Sequence, residues 1–270
     1  MTLFDNAEHN ITATATDSDG KSASDSASLT IGTSPPSPFD RTAKHRPIPI
    51  GISTGHPDIT AGTIGARVTD GAGNVYALSN NHVYADVNAA SIGVEVLQPG
   101  SIDGRSAPGD VIGTLAAYKP IVTNGTTPNA MDAAIALISG VTLEAATPPD
   151  GYGTPSSATV PAEIGMGVQK YGRTTGQTFG VIELINVNVQ VCYGTIRRRN
   201  CFGPLGLFTD QISISDGSFS AGGDSGSLIM TNDPSANPVG LLFAGSSSRT
   251  LANPIAPILA EFGVTITGTP

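Results

Sequence analysis

Ser225 lies in the run Ala221-Gly222-Gly223-Asp224-Ser225-Gly226-Ser227, a hydroxyl with glycines close on both sides. A serine hydroxyl becomes a useful nucleophile when a base takes its proton, and a tetrahedral oxyanion forms readily where preorganised donors face it. The run can meet the second need itself. Glycines let the backbone turn sharply, so the N–H groups of Gly223 and Ser225 can converge on one point beside the hydroxyl. The base must come from elsewhere. Of the four histidines, His9, His45, His56 and His82, only His82 ends an apolar strand candidate, in Tyr76-Ala77-Leu78-Ser79-Asn80-Asn81-His82-Val83. His9 falls in an amino-terminal fragment, His45 in a tether and His56 in what reads as a surface loop.

The acid that orients His82 is expected on another strand between His82 and Ser225. Asp132, in Asn129-Ala130-Met131-Asp132-Ala133-Ala134-Ile135-Ala136-Leu137, is a carboxylate set among apolar residues, and a buried carboxylate needs a partner. Asp103 and Asp110 are the alternatives, but both sit among Gly, Pro and Ser, where solvated turn carboxylates are the default. The order His82, Asp132, Ser225 excludes the Ser, acid, His order of α/β-hydrolases, since no histidine follows Ser225. Ser227 also stands where a Gly-x-Ser-x-Gly pattern needs its last glycine. A subtilisin-like order through Asp58 or Asp70 would require alternating strands and helices, which the chain lacks. Cys192 or Cys201 with His82 fits on order alone, without a glycine context comparable to that of Ser225.

The elements that must position these residues read as strands. Charged residues are only 13% of the chain while Gly is 33 and Pro 20, a balance that suits short strands and tight turns. The net charge of -9, with no basic cluster beyond Arg197-Arg198-Arg199, argues against nucleic acid as a partner. Those three arginines read as a solvated hairpin tip. No apolar run approaches the roughly 20 residues of a membrane-spanning helix, and the segment after Met1 has neither a basic start nor an apolar h-region.

Residues 10–31 alternate polar and apolar around Asp17-Ser18-Asp19-Gly20, which predicts one β-hairpin. Asp17 and Asp19 lack the further oxygen ligands of a calcium loop, so a plain Asp-Gly turn is expected. Residues 32–47, with Pro35, Pro36, Pro38 and Pro47, have the composition of an extended tether. From residue 48, strand candidates follow at Thr63–Val68, Val75–Ser79, Val94–Gln98, Val111–Ala117 and Asp132–Ile138. After a Pro/Gly/Thr-rich break over Ala146–Ala162 come Gly167–Gly172, Thr178–Ile185, Val187–Tyr193, Phe208–Ser213, Ser227–Thr231 and Val239–Ala244. One helix is expected over Pro254–Phe262, with Asn253 as N-cap. Cys192 and Cys201 flank a hairpin-like segment, where either a cross-strand disulfide or two reduced thiols would fit.

The strand end Leu78-Ser79-Asn80-Asn81-His82, with Asp132-Ala133-Ala134-Ile135 and Gly223-Asp224-Ser225-Gly226 in that order, resembles the trypsin/chymotrypsin superfamily of serine peptidases over residues 48–270. Val168-Gln169-Lys170-Tyr171-Gly172-Arg173-Thr174-Thr175-Gly176 is similar to the opening of the second barrel in its bacterial α-lytic and streptogrisin groups. Residues 1–31 resemble the last two strands of a bacterial immunoglobulin-like repeat, too few for a sandwich, so the sequence is expected to begin inside a domain.

The resemblance implies an all-β fold: two six-stranded antiparallel barrels, about 48–145 and 160–270, with a short carboxy-terminal helix, after a 32–47 linker and a 1–31 fragment of an immunoglobulin-like domain. It implies that His82 takes the Ser225 proton, that Asp132 fixes the histidine, and that Gly223 and Ser225 supply the oxyanion donors, with no metal or cofactor. It further implies that Arg173 pairs with Asp224, that Phe219 lies near the base of the substrate pocket in place of an Asp, and that Gly245 lies at its rim. Apolar or small side chains are then expected before the cleaved bond. Phe243 departs from the pattern, standing where a serine hydroxyl usually supports the aspartate; either another donor reaches Asp132 or the register is shifted. No disulfide can bracket His82. The expected partner is a polypeptide substrate, and the expected location extracellular or at the cell surface, or cytoplasmic if Met1 is the genuine start. The departures leave an alternative, an inactive or slow polypeptide-binding module.

Overall fold

The computed structural model describes residues 8–16, 18–30, 39–104, 108–197, 200–215 and 217–269. The chain forms two compact units, Met1–Phe39 and Asp40–Pro270. In the first, β1 (Glu8–Thr16) and β2 (Ser22–Thr30) pair antiparallel from Glu8↔Thr30 to Thr16↔Ser22. Gly20, at φ +80°, turns the chain between them. Asp17, one of the two weighed calcium ligands, lies outside the described residues.

The second unit begins before residue 48. Arg46 donates to the Gln98 side chain and backbone, Lys44 pairs with Asp110 at 3.0 Å, and Arg41 Nε donates to the Arg173 carbonyl. Residues that compose like a tether are thus fastened by their cations.

A short ladder of β3 (Ser53–Thr54) and β4 (Gly62–Thr63) precedes the first large sheet. That sheet contains β5 (Ala66–Asp70), β6 (Val75–Ser79), β7 (Glu95–Leu97) and β8 (Val111–Tyr118). After β9 (Asn124–Asn129), β10 (Ala134–Ile138) returns to it. Its order is β19-β5-β6-β10-β8-β7, where β19 is Val264–Ile266 at the far end of the chain. The β5–β6 turn forms because Asp70 Oδ1 accepts from the backbone N–H groups of Ala72 and Asn74, both at 2.9 Å. That turn starts β6 in the register that leads to the one-turn helix α1 (Asn81–Tyr84).

The second sheet holds β11 (Gly167–Gly172), β12 (Gly176–Cys192), β15 (Leu205–Ser215), β16 (Leu228–Thr231), β17 (Pro238–Gly245) and β18 (Arg249–Pro254). It runs β12-β11-β16-β17-β18-β15-β9, and pairing of β12 with β15 closes it. Beyond that pairing, β13 (Thr195–Arg197) and β14 (Asn200–Phe202) make a small extension of the hairpin. Arg198 and Arg199, expected at its tip, lie outside the described residues.

This is the expected two-barrel, chymotrypsin-like architecture, with two exchanges the sequence did not announce. Strand β9, from the first half, pairs parallel with β15 and makes the second sheet seven-stranded; β19 crosses back to pair with β5. The helix α2 spans Ile255–Phe262, because Asn253 and Pro254 complete β18, and Gly263 at φ +62° ends it. Asn253 is therefore no N-cap.

One apolar cluster joins the barrels: Ala66, Val68, Leu78 and Ile135 from the first sheet, Leu228, Met230 and Leu241 from the second, and Ile255 and Ile258 of α2. Leu241 is fully buried in it. Leu241→Ala should therefore destabilise the protein by about 2–5 kcal/mol, read as a lower urea midpoint; a loss confined to a few tenths would show that the barrels do not share one core.

Candidate active site

The geometry centres on Asp132, which is fully buried. Its side chain projects from the segment between β9 and β10, and α1 sits directly against it. His82 Nδ1 donates to Asp132 Oδ2 at 2.6 Å, and the His82 backbone N–H donates to Oδ1 at 3.1 Å. A carboxylate only accepts, so the proton belongs on Nδ1 and Nε2 is left as an acceptor. The His82 side chain keeps 22% of its surface exposed, enough for its other edge to meet a ligand.

The backbone of Asp132 is fixed as firmly. Its N–H donates to Asn253 Oδ1 at 3.1 Å, and its carbonyl accepts from Asn80 Nδ2 at 2.8 Å. Both asparagines are fully buried. Asn253 was legible only as a helix cap, since nothing local in β18 betrays a partner on the other barrel.

A further donor reaches the same carboxylate. Tyr193 OH donates to Asp132 Oδ2 at 2.8 Å, and its ring lies 5.9 Å from that of His82. Burial first, then the Asp132 charge and this hydrogen bond, push the Tyr193 phenol well above its usual 10. It stays a donor. The open question about Phe243 is thereby answered on the side of another donor: Phe243 is buried against Phe208, ring centroids 4.9 Å apart, and Phe208 lies 6.4 Å from Tyr193.

Ser225 sits in a loop docked onto both barrels. Gly223 at φ +97° and Gly226 at φ +93° take up left-handed geometry on either side of it. Thr63 N–H donates to the Ser225 carbonyl at 2.7 Å and Thr63 Oγ1 to that of Gly223 at 2.9 Å, while Gly226 N–H donates to Leu242 O at 2.8 Å. A methyl group on Gly62 would lie 2.5 Å from Val83 of α1 and 3.0 Å from the Ser225 carbonyl, so the loop and the helix that carries His82 meet across Gly62. The N–H groups of Asp224, Gly226 and Ser227 donate to backbone carbonyls; among the described residues those of Gly223 and Ser225 donate to none.

The expected pairing of Arg173 with Asp224 is corrected. Arg173 forks onto the Asp103 carboxylate, with Nε to Oδ2 at 2.9 Å and Nη2 to Oδ1. Asp103 also accepts from Ser53 Oγ at 2.6 Å, so it is not a solvated turn carboxylate, and Asp110, paired with Lys44, is not one either. Asp224 instead faces the ammonium of Lys170 at 3.5 Å, both side chains fully buried. Four further donors saturate it: the N–H groups of Thr174, Thr175 and Ala221 and the hydroxyl of Thr175. Burial pulls Lys170 down from 10.5 to about 8, against the opposing pull of Asp224.

Beside Ser225 opens a cavity of about 230 Å³ lined by Ser220, Ala221, Gly222, Leu242, Ala244, Gly245 and Ser246. Gly245 lines this cavity. Phe219 does not: it is fully buried in the second barrel with Val168, Ile182, Ile212 and Ile214, its ring 5.9 Å from the Lys170 ammonium. A larger cavity of about 740 Å³ shares Ala244, Gly245 and Ser246 and extends under β12 and β15. Of the remaining histidines, His45 Nε2 is bonded to the Asp40 carbonyl, and His56 is buried, accepting from Asp58 N–H, rather than lying in a surface loop. Cys192 and Cys201 are bonded, with Cα atoms 5.6 Å apart.

The sequence matches no protein-family model and no curated protein. Solved structures do resemble it. Protease A of Thermobifida fusca superposes with a TM-score of 0.57 at 20% identity, over 82% of this chain and 98% of that one. An α-lytic protease homologue gives 0.57 at 20% over 82% and 99%, and a Nocardiopsis protease 0.56 at 19% over 81% and 98%. These likenesses establish a shared fold.

The buried Lys170–Asp224 pair gives a pH test. Below pH 8 the ammonium is charged and opposes Asp224; as pH rises through about 8 the charge is lost and the loop keeps only its hydrogen bonds. Because the unfolded lysine titrates at 10.5, the unfolded chain binds the extra proton between pH 8 and 10.5, so global stability rises there rather than falls. If Ser225 is a nucleophile, its reactivity should therefore decline above pH 8 without unfolding, and Lys170→Met should remove that decline while lowering the rate at pH 7. An alkaline limb unchanged in Lys170→Met, followed by phosphonate labelling beside circular dichroism, refutes the assignment.

Proposed function

We infer that this protein is a serine endopeptidase, in which His82 takes the Ser225 proton and later gives it to the leaving amine, with Asp132 orienting the imidazole. The observation that carries the reading is the His82 Nδ1–H to Asp132 Oδ2 bond of 2.6 Å with a fully buried carboxylate, made from a helix that meets the glycine-flanked Ser225 loop across Gly62. The fold shared with solved proteases, among them a glutamic acid specific serine protease at 21% identity and a TM-score of 0.54, agrees with it.

In this mechanism the Ser225 hydroxyl attacks the scissile carbonyl and its proton passes to His82 Nε2. The developing oxyanion is met by the Gly223 and Ser225 N–H groups. Collapse expels the amine, which takes the proton from His82, and the acyl-enzyme is then hydrolysed by water that the same histidine activates. Asp132 stays ionised throughout and stabilises the imidazolium.

The substrate strand would run along Ala244 to Ser246, where β17 is paired only with β18, through Ala244↔Leu251 and Gly245↔Thr250. Its free edge can accept an extended polypeptide by strand addition. Among the described residues, the lining of the 230 Å³ cavity holds no ionisable side chain, which supports apolar or small residues before the cleaved bond. A disulfide fits an oxidising, extracellular or cell-surface setting, and the β1–β2 hairpin reads as the closing strands of an immunoglobulin-like repeat.

A fluorophosphonate probe should label the wild type, lose its site in Ser225→Ala and react far more slowly with His82→Ala. Asp132→Asn should lower turnover by roughly 10⁴ through the wrong histidine tautomer, and Asp103→Asn by much less. A folded wild type inert to the probe would leave polypeptide binding without catalysis as the function, and a peptide-library profile dominated by Arg or Lys before the cleaved bond would overturn the pocket reading.

A further inference from the structure

Tyr193 stands apart from every element that the His82 pair otherwise uses. It follows the last residue of β12, in the bend before β13, and its N–H donates to the Pro204 carbonyl at 2.9 Å. From there its phenol crosses to Asp132 Oδ2, the oxygen that also accepts from His82 Nδ1. A carboxylate with no exposed surface cannot recruit bulk water to replace a lost donor. Tyr193 therefore helps decide which way the carboxylate plane faces.

The bend that delivers the phenol is closed by covalent chemistry. Cys192, next to Tyr193, is bonded to Cys201 in β14, which links the end of β12 to β14 across that bend. The ring is seated against the cluster of Ile121, Phe208 and Phe243. Hydroxyl, ring and disulfide thus act on one point.

We propose that Tyr193 is a positioning residue that holds the Asp132 carboxylate in line with His82, and that the Cys192–Cys201 disulfide fixes the hairpin segment that brings it there. The proposal rests on the reading of His82 as the base for Ser225. It assigns the long β12–β15 hairpin a part in the chemistry as well as in the wall of the neighbouring cavity.

The test is Tyr193→Phe in the full chain, which keeps the ring and removes the donor. We expect kcat on a peptide substrate to fall about 10- to 100-fold, the effect of losing one hydrogen bond to a charged group, with KM within about twofold. The His82 ring nitrogen and Nδ1 proton resonances should shift in the same variant, because the carboxylate they face has lost a donor. Removing both cysteines as Cys192→Ser/Cys201→Ser should lower kcat in the Tyr193 protein and add little in the Tyr193→Phe background, since the two changes act through one contact. A Tyr193→Phe protein with wild-type kcat and unmoved His82 resonances overturns the role of Tyr193. Equal losses from cysteine removal in both backgrounds overturn the role of the disulfide. If the wild type itself is inert to the phosphonate probe, the peptidase reading fails, while the His82 resonances still decide whether Tyr193 orients the pair.

Discussion

Asp132 is a carboxylate with no access to solvent, and the surrounding structure is organised to make that tolerable. An ionised group in such a place costs several kcal/mol unless hydrogen bonds replace its lost water. Here the partners that hold Asp132 come from three separate parts of the chain, two of them donors to the carboxylate and one an acceptor for its backbone N–H. His82 and its backbone arrive on α1, Asn253 holds the peptide from β18, and Tyr193 reaches in from the β12–β13 bend. None of these elements neighbours Asp132 in sequence. The pair therefore draws on both barrels and the hairpin, which ties its geometry to the cooperative fold rather than to any one loop.

Asp224 repeats the problem beside Ser225 and solves it with a different cation. Strand β11 is buried along most of its length, so Lys170 points inward, where Thr175 Oγ1, the Gly176 carbonyl and Asp224 surround its ammonium. A compact ammonium with rotatable donors suits that crowded spot. Arg173, just past the end of the strand, needs a planar partner that accepts from both arms of the fork, and Asp103 provides one. The two cations are thus allotted by geometry, and Lys170 and Arg173, three residues apart in sequence, carry no local sign of which of them will meet Asp224.

Local chemistry carried much of the sequence reading. His82 was legible because a strand ends just before it, Asp132 because apolar neighbours imply burial, and the loop because only glycines suit φ values such as those of Gly223 and Gly226. What escaped was set by distance. Tyr193 and Asp132 are 61 residues apart, and β12 between them is irregular enough in its pairing with β15 to shift register several times, so no periodicity points the phenol at its partner. Asn253 looked like a helix cap because its own neighbours are Pro254 and an apolar turn. The exchanges of β9 and β19 between sheets are invisible for the same reason: pairing partners across the whole chain leave no mark on either strand alone.

The pocket shows how a correct position can carry a wrong contact. Phe219 belongs to the segment that leads to Ser225, but Gly180 on β12 leaves room beside it, where a methyl group would lie 2.8 Å from the ring, and Thr178 Oγ1 donates to its carbonyl at 2.7 Å. The ring is drawn into the barrel core and the chain that follows it, Ser220 to Gly222, forms the wall instead. A wall of backbone and small side chains offers volume and apolar contact as its means of selection. One methylene more or less in such a pocket is worth only about 1–3 kcal/mol, whereas a buried charge could reject the wrong partner far more sharply. On the proposed reading, a site built this way would discriminate by size, and shallowly, leaving the choice of substrate to the longer groove that β12 and β15 wall along Ala244 to Ser246.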